Sequence, residues 1–460
     1  MNIKENILNE LKEVETRIKA NAYSQENFVS ISDYKNLTEK SSNGEIIWTE
    51  ALRKALIENE NIFIPKADIP YYIDSTVIIP SNRTIKAEDG AVICQTEGTR
   101  VLMFRNEHTV DGTHLMPKAQ KRDCNITILG GRWEESYRER LGYGESGMYD
   151  EERSYYGVSA AMLFNNIENL YISDAVFAHT AGFAVQIGEI DGAVFENIHF
   201  DECYADGLHL NGNTENIVIR NISGMVGDDL VALNMYDWQH SSVNFGPMKN
   251  VLCETLRPSE NSPYKAMRIQ PGMYYFDDST DVDCSAENLI IKDVKGINTY
   301  KMYFQTPAYK LGEEPEKGAV GSGDNIFFED IEVDLKQPMD YMPVYINSDP
   351  IRGNFGAFEL GANIKNLYFE NVRAKLYRDK YPMSGLLSVG PKSAPLGSDS
   401  EIFDPYLSSK IENLHYKDIY INSQKIDDIK PYVRISAFND INKDGRSTAK
   451  GEVENYIKED

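Results

Sequence analysis

One pattern recurs along the chain and limits its fold more than any other feature: an asparagine followed by apolar residues at every second position. It appears as NLYISDAVF from Asn169, NIVIRNISG from Asn216, NVLCETL from Asn250 and NLIIKDV from Asn288. NIFFEDIEV from Asn325, NLYFENVRA from Asn366 and NLHYKDIYI from Asn413 continue it, and AVFENIHF from Ala193 joins the series with Gly192 in the asparagine's place. Successive copies are 23, 24, 34, 38, 37, 41 and 47 residues apart. Alternation of period two is a strand signal and excludes helical repeats. A fixed minimal period with insertions that lengthen along the chain marks a solenoid.

A second run follows each first one: FAVQIG from Phe183, GLHLNG from Gly207, LVALN from Leu230, AMRIQ from Ala266, MYFQ from Met302, PVYIN from Pro343 and LLSVG from Leu386. Stacked, they give an apolar column of Val185, Leu208, Val231, Met267, Met302, Val344 and Leu387. A second column holds Ile187, Leu210, Leu233, Ile269, Phe304, Ile346 and Val389. Strand alternation sends these inward and sends Gln186, His209, Ala232, Arg268, Tyr303, Tyr345 and Ser388 to the outer face. The fold expected is all-β, a single-stranded right-handed parallel β-helix spanning residues 61–430. Residues 1–60 are read as an N-terminal helical cap and 431–460 as a C-terminal tail. Within the cap, WTEALRKALIEN (Trp48 to Asn59) has helical spacing with Thr49 as N-cap, and a solenoid needs such a cover over the end of its core.

Composition narrows the function classes. Acidic residues exceed basic ones by 72 − 47 = 25, which argues against a general nucleic-acid or anionic-membrane binder, because such binding needs a basic surface. No apolar stretch reaches the roughly 18 residues of a membrane helix. The N-terminal MNIKENILNELKEVETRIK reads as an amphipathic helix and not as a secretory signal. Five cysteines without CxxC pairs (Cys94, Cys124, Cys203, Cys253, Cys284) are expected as buried free thiols in a cytoplasmic protein.

Two turns that precede second-run strands carry acids: Ala205-Asp206-Gly207, and Gly227-Asp228-Asp229-Leu230. Asp206 lies two residues before inward Leu208 and Asp229 two before inward Val231, so they occupy the same place on adjacent coils, about 5 Å apart. Asp228 sits beside them. A single Asp-Gly is an ordinary turn former, and three acids also admit a calcium site. Three carboxylates crowded on one face repel one another, which raises at least one proton affinity and splits the set into a donor and an ionised base.

Ala205-Asp206-Gly207 followed 22 residues later by Gly227-Asp228-Asp229-Leu230-Val231-Ala232-Leu233 resembles the polygalacturonase family, glycoside hydrolase family 28, within the pectate-lyase-like superfamily. That family's pattern is Asn-Thr-Asp-Gly, Gly-Asp-Asp, Gly-His-Gly and Arg-Ile-Lys. The resemblance covers residues 160–310 and implies inverting hydrolysis of a glycosidic bond. Asp228 then resembles the general acid, and Asp206 and Asp229 the pair that activates water. No cofactor or metal is implied, and the partner is an oligosaccharide or glycoside. The chain departs from the pattern at two places. No Gly-His-Gly follows the aspartates, although His240 stands near, and Arg268-Ile269-Gln270 replaces Arg-Ile-Lys. With that lysine absent and Lys265 its nearest substitute, a neutral plant-type oligosaccharide or glycoside is expected over polygalacturonate.

Candidate substrate contacts are Gln186, His209, Trp238, His240, Lys265, Arg268 and Tyr303. Histidine titrates near neutrality and donates to hydroxyls, and arginine's planar fork binds hydroxyls or a carboxylate. The segment from Trp133 to Tyr156 breaks the repeat and reads as a lid, or as a contact in a homo-oligomer. Asp440, Asn442 and Asp444 begin like a calcium loop, but Gly451 stands where a bidentate acid is needed. The acids Asp277, Asp278, Asp281 and Asp283 read as a solvated loop. Two alternatives to a hydrolase are a polysaccharide lyase acting by elimination and a non-catalytic carbohydrate-binding β-helix.

Overall fold

A computed structural model describes residues 3–109, 121–141, 160–237, 242–277, 280–302, 321–336, 356–380, 384–390, 409–435 and 451–460. The chain divides into two compact units. One holds residues 1–231 with 239–244 and 258–262, the other residues 232–238, 245–257 and 263–460.

In the first unit the apolar alternation becomes three parallel ladders. One runs through Asn61–Ile64, Arg83–Ala87, Asp123–Leu129, Ala160–Ser173, Phe183–Cys203 and Thr214–Val226, and stacks Ile62, Ile85, Ile128, Ile172, Phe195 and Ile219 in register. All six are fully buried. A second ladder joins Tyr71–Ile73, Val92–Gln95, Arg132–Glu134 and Val176–Ala178 to residues 199–201. The third joins Val77–Ile79, Phe104–Asn106, residues 162–163, residues 185–187 and Leu208–Asn211. Each coil thus turns through three strand faces, which is the parallel β-helix read from the repeats. The second unit repeats the scheme. Cys253, Ile291, Phe328, Phe369 and Tyr416 form one inward column.

The recurrent asparagines make the corners. Asn82, Asn125, Asn169 and Asn216 have φ of 57°, 53°, 65° and 62°, and Asn250, Asn288 and Asn325 have 54°, 58° and 55°. Asparagine tolerates this left-handed backbone better than other residues with a side chain, and Gly192, at φ 82°, replaces it once. Their amides also stack between coils: Asn125 donates to Asn82 (2.8 Å), Asn169 to Asn125 (3.1 Å), Asn288 to Asn250 (2.9 Å) and Asn325 to Asn288 (3.0 Å). At these positions the repeat is therefore a backbone requirement reinforced by a hydrogen-bond ladder.

The 21-residue helix α1 (Ile3–Tyr23) buries Ile7, Leu11, Ile18 and Ala22. It packs along the strands Asp123–Leu129, Ala160–Ser173, Phe183–Cys203 and Thr214–Val226, on their outer side. Arg220 to Glu15 (2.6 Å) and Lys19 to Glu196 (2.6 Å) tie it down. It is a flank element, whereas α2 (Thr49–Glu58) inserts Leu52, Ala55 and Leu56 beside the first coil. Trp48, not Thr49, is the N-cap residue of α2; the Thr49 hydroxyl instead donates to Asp74 at 2.7 Å. The expected tail carries two more rungs: Val433–Ile435 pairs with Gly385–Val389, and Gly451–Lys458 with Ser409–Lys417.

Register departs from expectation in the second unit. Leu233 faces Ile269 and Ala232 faces Arg268 as read from sequence, but Met267 faces Tyr300 and Arg268 faces Lys301. Met302 is thus displaced by two residues from the expected column. Period-two alternation cannot detect such a slip, because a shift of two preserves the side-chain faces. The next rung is Gly356–Leu360, with Lys301 opposite Glu359 and Glu359 opposite Ser388. The PVYIN run and Phe304 lie outside the described residues.

Three further expectations change. Trp133 is fully buried against Phe104 with ring centroids 5.1 Å apart, so it belongs to the core and not to a lid. Gly272–Asp277 and Thr280–Cys284 form an antiparallel hairpin where a loop was expected. All five cysteines are free; Cys203, Cys253 and Cys284 are buried, but Cys94 and Cys124 are half-buried. Residues 142–156 of the expected lid and residues 436–450, with the calcium-like loop, lie outside the described residues. Among the described residues no helix is long and apolar enough to cross a membrane.

Candidate active site

Backbone geometry of adjacent turns in the first unit sets the acids side by side. Asp228 N donates to Ala205 O (3.3 Å), Gly207 N to Asp229 O (3.0 Å) and Leu208 N to Leu230 O (3.2 Å). The turns approach closely only because their corner residues lack side chains. A Cβ on Gly207 would lie 2.4 Å from the Phe200 ring and 2.7 Å from Leu230 O, and one on Gly227 would lie 2.3 Å from Tyr204 O. The glycines flanking the acids are therefore what permits the stack.

Asp206, Asp228 and Asp229 are all buried, and each offers an oxygen within 4.8 Å of the others. Asp206 is held from two sides: Oδ2 accepts from His209 Nδ1 at 2.7 Å and Oδ1 from Asp229 N at 2.9 Å. His209 stacks on Phe183 with centroids 3.7 Å apart and planes 11° apart. Its Nε2 lies 3.3 Å from Asn211 Nδ2; reading that amide as the donor assigns the imidazole proton to Nδ1, toward Asp206. Asn211 Oδ1 in turn accepts from Gln186 Nε2 (2.9 Å) and Val243 N (3.1 Å). Gln186 and His209, expected on an open outer face, are fully buried and spend their polar atoms on protein partners.

The residue that sequence reading missed is Arg140, whose Nη1 lies 3.0 Å from Asp228 Oδ2. It arrives on a segment that leaves the strand Arg132–Glu134 at buried Glu135. Glu135 Oε2 accepts from Ala181 N at 2.7 Å, and burial pushes its carboxyl up to about 7. A demand for positive charge near three acids is legible in sequence, but which of the many basic residues supplies it is not.

In the second unit, buried Arg268 has Nη1 4.0 Å from Asp237 Oδ1, and Asp237 Oδ2 accepts from Asn234 Nδ2 at 2.9 Å. Lys301, not Tyr303, is Arg268's neighbour in register. It is 1% exposed, with Nζ 4.4 Å from the Tyr264 ring centroid. Lys265 is half-buried, and its carbonyl accepts from Asn298 N at 2.8 Å. Trp238, His240 and Tyr303 lie outside the described residues.

Among the described residues, two clusters have donor spacing suited to a cation, one of three aspartates and one of two acids with a histidine. Asp123, with Glu107 and His108, is already committed: Oδ1 takes Ser81 Oγ (2.7 Å) and His108 Nδ1 (2.8 Å), and Oδ2 takes Asn106 Nδ2 (2.8 Å) and His108 N (2.7 Å). Burial raises the Asp123 carboxyl, but these hydrogen bonds outweigh it and hold the group below its usual range. Beside Asp206, Asp228 and Asp229, Arg140 places a positive charge 3.0 Å from Asp228 Oδ2.

Fold and site together define a parallel β-helix bearing a buried cluster of three carboxylates on adjacent coils. No protein-family model and no curated protein matches the sequence. Among solved structures, the chain is similar to a family 28 exopolygalacturonase of Yersinia enterocolitica, at 10% identity over 94% of this chain and 78% of that one, with a TM-score of 0.43. It is similar to a family 87 α-1,3-glucanase of Streptomyces thermodiastaticus, at 13% identity over 95% and 69%, with a TM-score of 0.43. It is also similar to the surface protein and adhesin PfbA of Streptococcus pneumoniae, at 11% identity over 94% and 97%, with a TM-score of 0.41.

Proposed function

We propose that the chain is a glycoside hydrolase whose reacting groups are Asp206, Asp228 and Asp229. One observation carries this reading: three buried carboxylates, each with an oxygen within 4.8 Å of the others, on turns that glycine alone allows to stack. A protonated member can give its proton to a glycosidic oxygen while an ionised member acts on the anomeric side, directly or through water. His209 and Gln186 take the role of holding Asp206 in place, in a chain that passes through Asn211.

The stereochemical outcome is open to a direct reading. The family resemblance implies inversion, whose carboxyl pairs stand about 6.5–9.5 Å apart against about 5–5.5 Å for retention, and the anomer of the first product decides between them. The case for a neutral sugar rested on Gln270 in place of a lysine. Acidic glycosides therefore enter the screen as the control for that expectation.

The test is a panel of neutral and acidic aryl-glycosides and plant oligosaccharides, with NMR of the first product anomer. Asp206→Asn, Asp228→Asn and Asp229→Asn are each expected to lose at least 100-fold in kcat, on the order of general acid–base contributions, with unchanged circular dichroism. Full turnover in folded Asp228→Asn and Asp229→Asn would remove the reading. Ultraviolet absorbance from a new double bond would identify the lyase alternative.

A further inference from the structure

Arg140 lies in the segment 133–156 that breaks the repeat and is not among the expected site residues, yet its Nη1 lies 3.0 Å from Asp228 Oδ2. The segment that brings it is fastened at several points. Glu135 N donates to Ala178 O (3.1 Å), Ser136 Oγ to Thr96 O (3.2 Å), Tyr137 OH to Thr99 O (2.6 Å) and Leu141 N to Ala181 O (3.4 Å). The strap is tied to the preceding coil at Thr96 and Thr99 and to the following coil at Ala178 and Ala181, and its Arg140 side chain spans on to Asp228. The arginine is 36% exposed at its side chain and the carboxylate it meets only 9%. A buried carboxylate beside two others is costly unless it is paired, and an arginine stays charged throughout the accessible range.

We infer that Arg140 is a positioning residue of the carboxylate set, delivered by the strap 135–141 to hold Asp228 as a charged member. The inference rests on the proposed reacting groups for its catalytic meaning, but the ion pair itself does not depend on catalysis. Among the described residues, Arg140, Asp206 and Asp229 face Asp228, with His209 behind Asp206. Asp206 already accepts from His209 and from Asp229 N. The guanidinium 3.0 Å away favours the charged form of Asp228 in the resting site. A proton donor at Asp228, as the family resemblance has it, then requires Arg140 to move off when substrate enters. A donor elsewhere in the set requires no such movement.

The experiment uses the full chain labelled with carboxyl-¹³C aspartate, with the Asp228 resonance assigned by its loss in Asp228→Asn. Arg140→Gln should raise the proton affinity of Asp228 about tenfold or more, the low end of what removing an adjacent opposite charge does, while Arg140→Lys should keep most of the wild-type value. An Asp228 titration identical in wild type and folded Arg140→Gln would overturn the inference. Once a substrate is in hand, the acid limb of kcat/KM should move to higher pH in Arg140→Gln and return in Arg140→Lys. A shifted Asp228 titration together with an active Asp228→Asn variant would leave the ion pair standing and remove Asp228 from the proposed reacting groups.

Discussion

Glu135 offers a test of the strap's foot that needs no substrate. Its carboxyl is 1% exposed, with one backbone donor, Ala181 N, at 2.7 Å. Burial lifts it from the usual 4.5 to about 7. The acid's folded value lies above its unfolded one, so the native state binds more protons between about 4.5 and 7, and stability falls as pH rises through that window. Below 4.5 the group is neutral in both states and costs nothing through ionisation. Above 7 the whole cost is present, and a shift of about 2.5 units corresponds to about 3 kcal/mol at 1.36 kcal/mol per unit. Glu135→Gln keeps an oxygen for Ala181 N and removes the titration. Equilibrium urea unfolding of both proteins should therefore show the variant gaining about 3 kcal/mol on wild type between about pH 4.5 and about pH 8. A difference that stays flat with pH would refute the argument that burial dominates this group.

Two further outcomes follow from packing. Gly207→Ala places a Cβ 2.4 Å from the Phe200 ring and 2.7 Å from Leu230 O; it should destabilise by about 1–3 kcal/mol, as overpacking does, and lose turnover as the Asp206 turn is pushed away. A variant with native stability and activity would contradict the close approach. Burial holds the thiol of Cys203 at about 12 and raises that of Cys253, so both should resist alkylation at neutral pH until the chain is unfolded, as mass spectrometry would report. Modification of Cys203 at the rate of the unfolded chain would contradict its burial.

The sequence by itself determined the architecture, because each rung of a parallel β-helix repeats the same local demands. Alternation had to put Ile128, Ile172 and Phe195 on one inward face, and a corner with positive φ had to recruit asparagine or glycine at Asn125, Asn169 and Gly192. It also determined that Asp206, Asp228 and Asp229 meet, since two turns one period apart carry them at matched positions. Only the tertiary structure decided what depends on insertions and on long-range approach. The two-residue slip that sets Lys301 beside Arg268 leaves the alternation unchanged, so no pattern of period two could reveal it. Residues 88 positions apart bring Arg140 onto Asp228 because the strap is tied to the preceding and following coils, not because of any spacing along the chain. His209 and Gln186 shared the outward parity of a solvent-facing row, yet both are buried. Strand parity fixes which side of the sheet a side chain leaves from, and the packing of other segments decides whether water or protein waits there.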